Sequence, residues 1–164
     1  MPPPDDTRVD SDIAAALAAG RDQDWEELWE AVEVLAGEGT FATWTGGDPA
    51  GVITVDGEER TLYRMPYPTY SESVERVRQH LGKLGLIVPF DWMKWEGTTR
   101  YGRNPEALAS APVTDAVRLL TAVIRAERFG EGNIEGALVS GVIQAALARI
   151  RSWYNENRSS ASPR

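Results

Sequence analysis

Three charged residues stand where the local pattern would bury them: Asp91, Glu127 and Arg128. Asp91 lies in Ile87–Trp95, which reads I-V-P-F-D-W-M-K-W. Glu127 and Arg128 lie in Leu119–Gly132, which reads L-L-T-A-V-I-R-A-E-R-F-G-E-G. Taking a charge out of water is costly unless a partner compensates it. Such residues either tie a core together or serve a site.

For Asp91 two readings stay open. It is a carboxylate that accepts backbone or Arg hydrogen bonds, or a general base or ligand-orienting acid in an aromatic-lined cleft. Arg125 sits at a helix C-terminus, where the helix dipole favours a cation. Glu127 is disfavoured there, so an ion pair with an Arg is its simplest partner. Arg128 can bind Asp91 or Glu127 through both guanidinium nitrogens, or grip a phosphate or carboxylate ligand. Trp44, Tyr63, Tyr67, Tyr70, Trp92 and Trp95 gather in the extended part of the chain. They suit a hydrophobic seam, or a groove whose rings supply area and whose polar tips give direction. The candidate ligand-binding or ion-pairing residues are therefore Asp91, Glu127, Arg128, Arg125, Tyr67, Tyr70, Trp92 and Trp95.

No residue earns a catalytic role. With no cysteine there is no thiol nucleophile, disulfide or thiolate metal site. His80, the one histidine, sits beside an apolar stripe with no nucleophile at a motif spacing. Gly130-Glu131-Gly132 follows a helix, whereas phosphate-cradling glycine loops follow a strand and open a helix. Gly46-Gly47 lacks the lysine of such loops. The sequence thus implies no cofactor and no metal, and it leans away from an enzyme.

The elements that must position these residues follow from periodicity. A helix is predicted from Ser11 to Ala19. A second runs from Asp24, in capping-box spacing with Glu27, to Gly37, with Trp25, Leu28, Trp29, Val32 and Leu35 on one face. Residues 41–65 read as a small antiparallel sheet, with a hairpin turn at Asp56-Gly57. Met65–Tyr70 is extended, and its prolines keep it from any sheet interior. Ser71 caps a helix carrying Val74, Val77, Leu81 and Leu84. A short helix starts at Asn104-Pro105, and Thr114 caps the main one. A short helix spans Ile134 to Val139, and Ser140 opens the last. The fold class is α+β, a mainly helical single domain with a small antiparallel sheet. Residues 1–10 read as a disordered segment, 11–157 as the domain and 158–164 as a disordered tail. Core candidates are Trp25, Trp29, Val77, Leu81, Phe90, Leu120, Ile124, Leu147 and Ile150.

Composition narrows the functions. In 164 residues carrying net charge −8, residues 1–38 hold eleven acids against Arg8 and Arg21, while residues 118–164 balance to +3. An acidic chain lacks the basic footprint of direct nucleic-acid binding. No apolar run nears the roughly 18 residues of a membrane span. Met1–Asp6 has no basic or apolar stretch of a secretory signal. The expected location is the cytoplasm. Fifteen Arg against two Lys, with abundant Ala, points to a GC-rich bacterial genome.

Four motifs together resemble a bacterial family of small cytoplasmic proteins of unknown function. They are Trp44 with Gly46-Gly47 (W-x-G-G), Pro66–Ser71 (P-Y-P-x-Y-S), Phe90–Trp95 (F-D-W-x-x-W) and Leu119–Gly132 (L-L-T-x-x-x-R-x-x-R-F-x-x-G). The resemblance spans about residues 40–151. It implies no activity, cofactor or catalytic residue. In such proteins the position after Phe129 is often Cys; here it is Gly130, so a thiol there is not required.

Three functions fit. The first is a non-catalytic binding or regulatory module acting through a protein partner. The second is a small-molecule site or enzyme, with a cleft where Asp91 and Arg128 converge beside Tyr67, Tyr70 and Trp92. The third is an acidic mimic of nucleic acid, requiring exposed carboxylates across residues 22–33. The sequence sets no oligomeric state.

Overall fold

A computed structural model describes residues 6–159. It is a mainly helical α+β domain. Seven α-helices are α1 (Asp6–Ala19), α2 (Asp22–Ala36), α3 (Glu72–Lys83), α4 (Gly97–Arg103), α5 (Val113–Ala126), α6 (Asn133–Val139) and α7 (Val142–Ser159). A 3-10 helix, Pro105–Ser110, joins α4 to α5. The strands are β1 (Ala42–Thr45), β2 (Pro49–Val55), β3 (Glu58–Tyr63) and β4 (Tyr67–Tyr70).

The helical faces pack as their spacing demands. In α2 the positions Trp25, Leu28, Trp29 and Leu35 are buried, against Val74, Val77 and Leu81 of α3. Full burial of one such side chain stabilises by about 1.5–3 kcal/mol. Trp25 and Trp29 stack at 5.7 Å, and Tyr154 of α7 closes on both. α5 runs through the centre, with Ala116, Val117, Leu119, Leu120 and Ala122 buried, and packs on α7 through Ala146, Leu147 and Ile150. Of the expected core, Phe90 and Ile124 are only partly buried; they pack on its margin.

The strands form two two-stranded antiparallel sheets rather than one. β1 pairs with β4, setting Trp44 opposite Pro68 and Ala42 opposite Tyr70. Tyr67–Tyr70 is therefore a strand, but an edge strand, as Pro68 requires. β2 and β3 make a hairpin closed by Asp56 and Gly57, both at positive φ (52° and 80°), the handedness a two-residue hairpin loop needs. Hydrogen bonds between Gly47 and Arg64 and between Arg64 and Asp48 carry one sheet into the other. Residues 42–70 are thus one β arm.

Several boundaries differ from the pattern. α1 begins at Asp6, not Ser11, because Val9 is buried and Asp10 meets Arg118 at 2.6 Å. Residues 6–10 therefore belong to the domain, while 1–5 fall outside the described residues. Asp24 does not cap α2, which starts at Asp22; its carboxylate holds Arg21 and Lys83 at 2.9 Å each. Arg158 lies within α7, bound to Asp22, and residues 160–164 fall outside the description.

Candidate functional site

Glu127 is the best-connected of the candidate residues, and its partners are not arginines. It follows the last turn of α5 and turns its carboxylate toward α6. Oε1 accepts the Tyr70 hydroxyl at 2.7 Å and the Gly132 amide at 2.9 Å; Oε2 accepts the Ile134 amide at 2.8 Å. The unfavourable helix end is thus offset by the opposite end of the next helix, whose first amides are free donors. The expected Arg pair is corrected accordingly. Burial, and then the Glu127 carboxylate, push the Tyr70 phenol well above its ordinary range, so it stays a donor.

The same joint receives Trp44, whose Nε1 donates to Glu135 at 2.8 Å. Its ring covers Gly132, where φ is +93° and an added Cβ would lie 2.9 Å from Trp44 Cζ2. Three of the four motifs therefore meet here, through Trp44, Tyr70 and the Glu127–Gly132 turn. Together they clamp the base of the arm to the α5–α6 turn. Both oxygens of Glu127 already have donors.

The fourth motif anchors locally. Thr121, fully buried on α5, accepts the Val88 amide at 3.1 Å and donates to the Leu86 carbonyl at 3.3 Å. That fixes the extended segment carrying Phe90-Asp91-Trp92. Phe90 lies 6.0 Å from the Arg118 guanidinium, Trp95 packs edge-on against Phe90, and Trp92 packs on Phe129. Asp91 bonds Lys94 at 3.0 Å, one turn on and largely exposed.

Asp91 and Arg128 do not converge. Asp91 lines a depression with Lys94, Glu96, Arg100 and Asp115. Arg128 lines another with Arg78, Arg125, Ile87 and Ile124. Trp92 and Trp95 do come together, on a groove of about 530 Å³ floored by small residues of α5 and α6. Tyr67 is exposed on β4, opposite Thr45. The shared cleft expected for these side chains is replaced by separate surfaces: the chain turns at Phe90–Trp95, through Trp92 N–H to the Phe90 carbonyl and Trp95 N–H to the Trp92 carbonyl, which leaves Asp91 beside Phe90 and Trp92 on the groove.

Arg118 is the functional-looking residue that the motifs passed over. It is buried on α5, bonds Asp10 at 2.6 Å and lies 3.7 Å from Asp115. Helical register sets it on the side of α5 away from Val117, Leu120 and Ile124, so periodicity pointed it to solvent; α1 covers that side. The charge asymmetry between chain ends is likewise used internally. Among residues 22–33, Asp22 pairs with Arg158, Asp24 with Arg21 and Lys83, Glu27 with Lys83, and Glu33 with Arg151. Only Glu26 and Glu30 of that stretch remain without an ion pair among the described residues, too few for a phosphate-like row.

No described helix is long and apolar enough to cross a membrane. Comparison with curated proteins and with solved structures gives no match. One family pattern does match, over residues 21–156, which takes in all four motifs and the helices that hold them. The chain belongs to that family, a family of unknown function designated DUF6508.

Proposed function

We propose that the protein is a non-catalytic binding module that works through a protein partner, and that the β2–β3 hairpin is the element it presents. One observation carries this reading. Val52, Ile53, Leu62 and Tyr63 are all exposed, on a hairpin in which no residue is buried. Val52 and Ile53 are adjacent, so they point to opposite faces. No single packing surface inside this chain can cover both. Among the described residues the outer edge of β2 carries no third strand, and β2 has no charge, whereas β3 has Glu58, Glu59 and Arg60. Edges that must stay single are blunted by charge, proline or a bulge; β2 has a proline and a register shift only at its start, from Pro49 to Gly51, and Val52–Val55 carries none of these. The partner this fits is an extended, uncharged segment, added antiparallel to β2 by main-chain hydrogen bonds.

A synthetic peptide copying Pro49–Val55 tests the reading, because an antiparallel copy sets Val52 against Val52 and Gly51 against Ile53. Saturable slowing of amide exchange along β2, abolished by Ile53→Lys, is the expected result. Exchange unchanged at every peptide concentration refutes strand addition at β2.

The groove under Trp92 and Trp95 supports a second reading, a small-molecule site. Its volume lies within the roughly 300–1,000 Å³ typical of ligand pockets, and its walls are mostly apolar. A ligand there would quench or shift tryptophan fluorescence, and Ala137→Trp would block it.

A further inference from the structure

We infer that the depression between α3 and the C-terminal end of α5 is an oxyanion site, and that its ligand is a phosphate monoester. This inference is independent of the arm and of the groove. Arg78, Arg125 and Arg128 line one open cavity of about 270 Å³, with Ile87 and Ile124 as its apolar part. In a chain of net charge −8, the cations here are short of partners. Elsewhere Arg21, Lys83, Arg118, Arg151 and Arg158 each hold a carboxylate, while Arg8, Arg76, Arg100, Arg103 and Arg149 hold none among the described residues; what sets this depression apart is that three arginines line it together. Arg125 and Arg128 have no carboxylate within 4 Å among the described residues, and Arg78 has only Glu75, one turn away.

The one acid lining the cavity cannot neutralise them. Glu127 spends its oxygens on Tyr70, Gly132 and Ile134, on the side of α6. Arg125 stands at the helix C-terminus, where the dipole favours a cation, and Arg128 lies one turn on and exposed at the same opening. Three guanidiniums around one opening match the three terminal oxygens of a phosphate dianion, each taking donors from a planar fork. A carboxylate has only two oxygens and half the charge. The isoleucines leave room beside the phosphate for a small organic body.

The ester can be a free small molecule or a phosphorylated side chain, and two probes separate these sources. Glycerol phosphate and a short phosphoserine peptide are titrated into the full chain. Binding is read by calorimetry and by the shifts of arginine Nε–H resonances. Saturable binding of either probe is expected, with dissociation constants raised about tenfold or more in Arg128→Gln and Arg125→Gln. Arg103→Gln, which removes an exposed arginine outside the depression, should bind as the parent does. Tighter binding of the peptide assigns a phosphorylated partner; equal binding assigns the small ester. No saturation by either probe up to about 10 mM overturns the inference, since that marks affinity no better than a bare surface charge. So does an equal loss in Arg103→Gln, which would make the effect one of net charge.

Discussion

Removing the Glu127 carboxylate should loosen the arm and the α5–α6 turn together. In Glu127→Ala three donors lose their acceptor: the Tyr70 hydroxyl and the amides of Gly132 and Ile134. Hydrogen bonds to a charged group contribute about 1.5–3 kcal/mol each when water cannot replace them. Glu127 is half-buried, so water recovers part of that, and about 1 kcal/mol per bond is the better figure. The expected loss is therefore about 3 kcal/mol, a fall in Tm of about 6–12 °C at this chain length. Glu127→Gln is the sharper test. An amide oxygen in place of Oε1 keeps Tyr70 and Gly132, but the amide nitrogen then faces the Ile134 N–H. One bond of three is lost, and the cost should be about 1–2 kcal/mol. Tyr70→Phe should cost a similar amount, and its cycle with Glu127→Ala should show coupling of about 1 kcal/mol. Denaturant unfolding measures the parent and all four variants. If Glu127→Ala costs less than about 0.5 kcal/mol, or couples to Tyr70→Phe by nothing, the joint does not hold the arm.

Thr121→Val leaves the Val88 amide without an acceptor inside the core, and should cost about 1–3 kcal/mol by denaturant unfolding despite its equal volume. Gly132→Ala puts a Cβ at positive φ and against Trp44, so Tm should fall, and the Trp44 emission should move with it. Asp24, hydrogen-bonded by Arg21 and Lys83, has its carboxyl held down at about 2. A group depressed on folding contributes stability above its unfolded value, about 3.9 for Asp, and loses it as pH falls through the folded one. Stability measured from pH 4 to pH 2 should fall, and Asp24→Asn should flatten part of that slope. Ile53→Lys should leave Tm within about 1–2 °C of the parent, because the side chain lies on the exposed arm and is no part of the core.

The helices were legible because each carries its own period. Trp25, Leu28, Trp29 and Leu35 mark the buried side of α2, and Val74, Val77 and Leu81 that of α3, whatever they pack against. The Asp56-Gly57 turn was legible for a local reason too, since few residue pairs accept two left-handed conformations. The start of α1 was not: residues 6–10 look like an acidic, proline-led tail until Arg118, more than a hundred positions away, meets Asp10. Nor was the partner of Glu127. A charge out of register says only that compensation exists; whether it comes from an arginine or from free helix amides depends on where α6 begins.

The sequence alone determined the longer helices, the turn chemistry and the exclusion of thiol chemistry, since these depend on residue identity and near neighbours; α4, Gly97–Arg103, has no such period and went unpredicted. Tertiary structure alone decided which charges meet. It sent Arg118 to Asp10 and Glu127 to Tyr70, and left Arg125 and Arg128 facing an open cavity. Ion pairs and hydrogen bonds act over a few ångströms, and only the packing of α3, α5 and α6 brings residues from separate segments within that range.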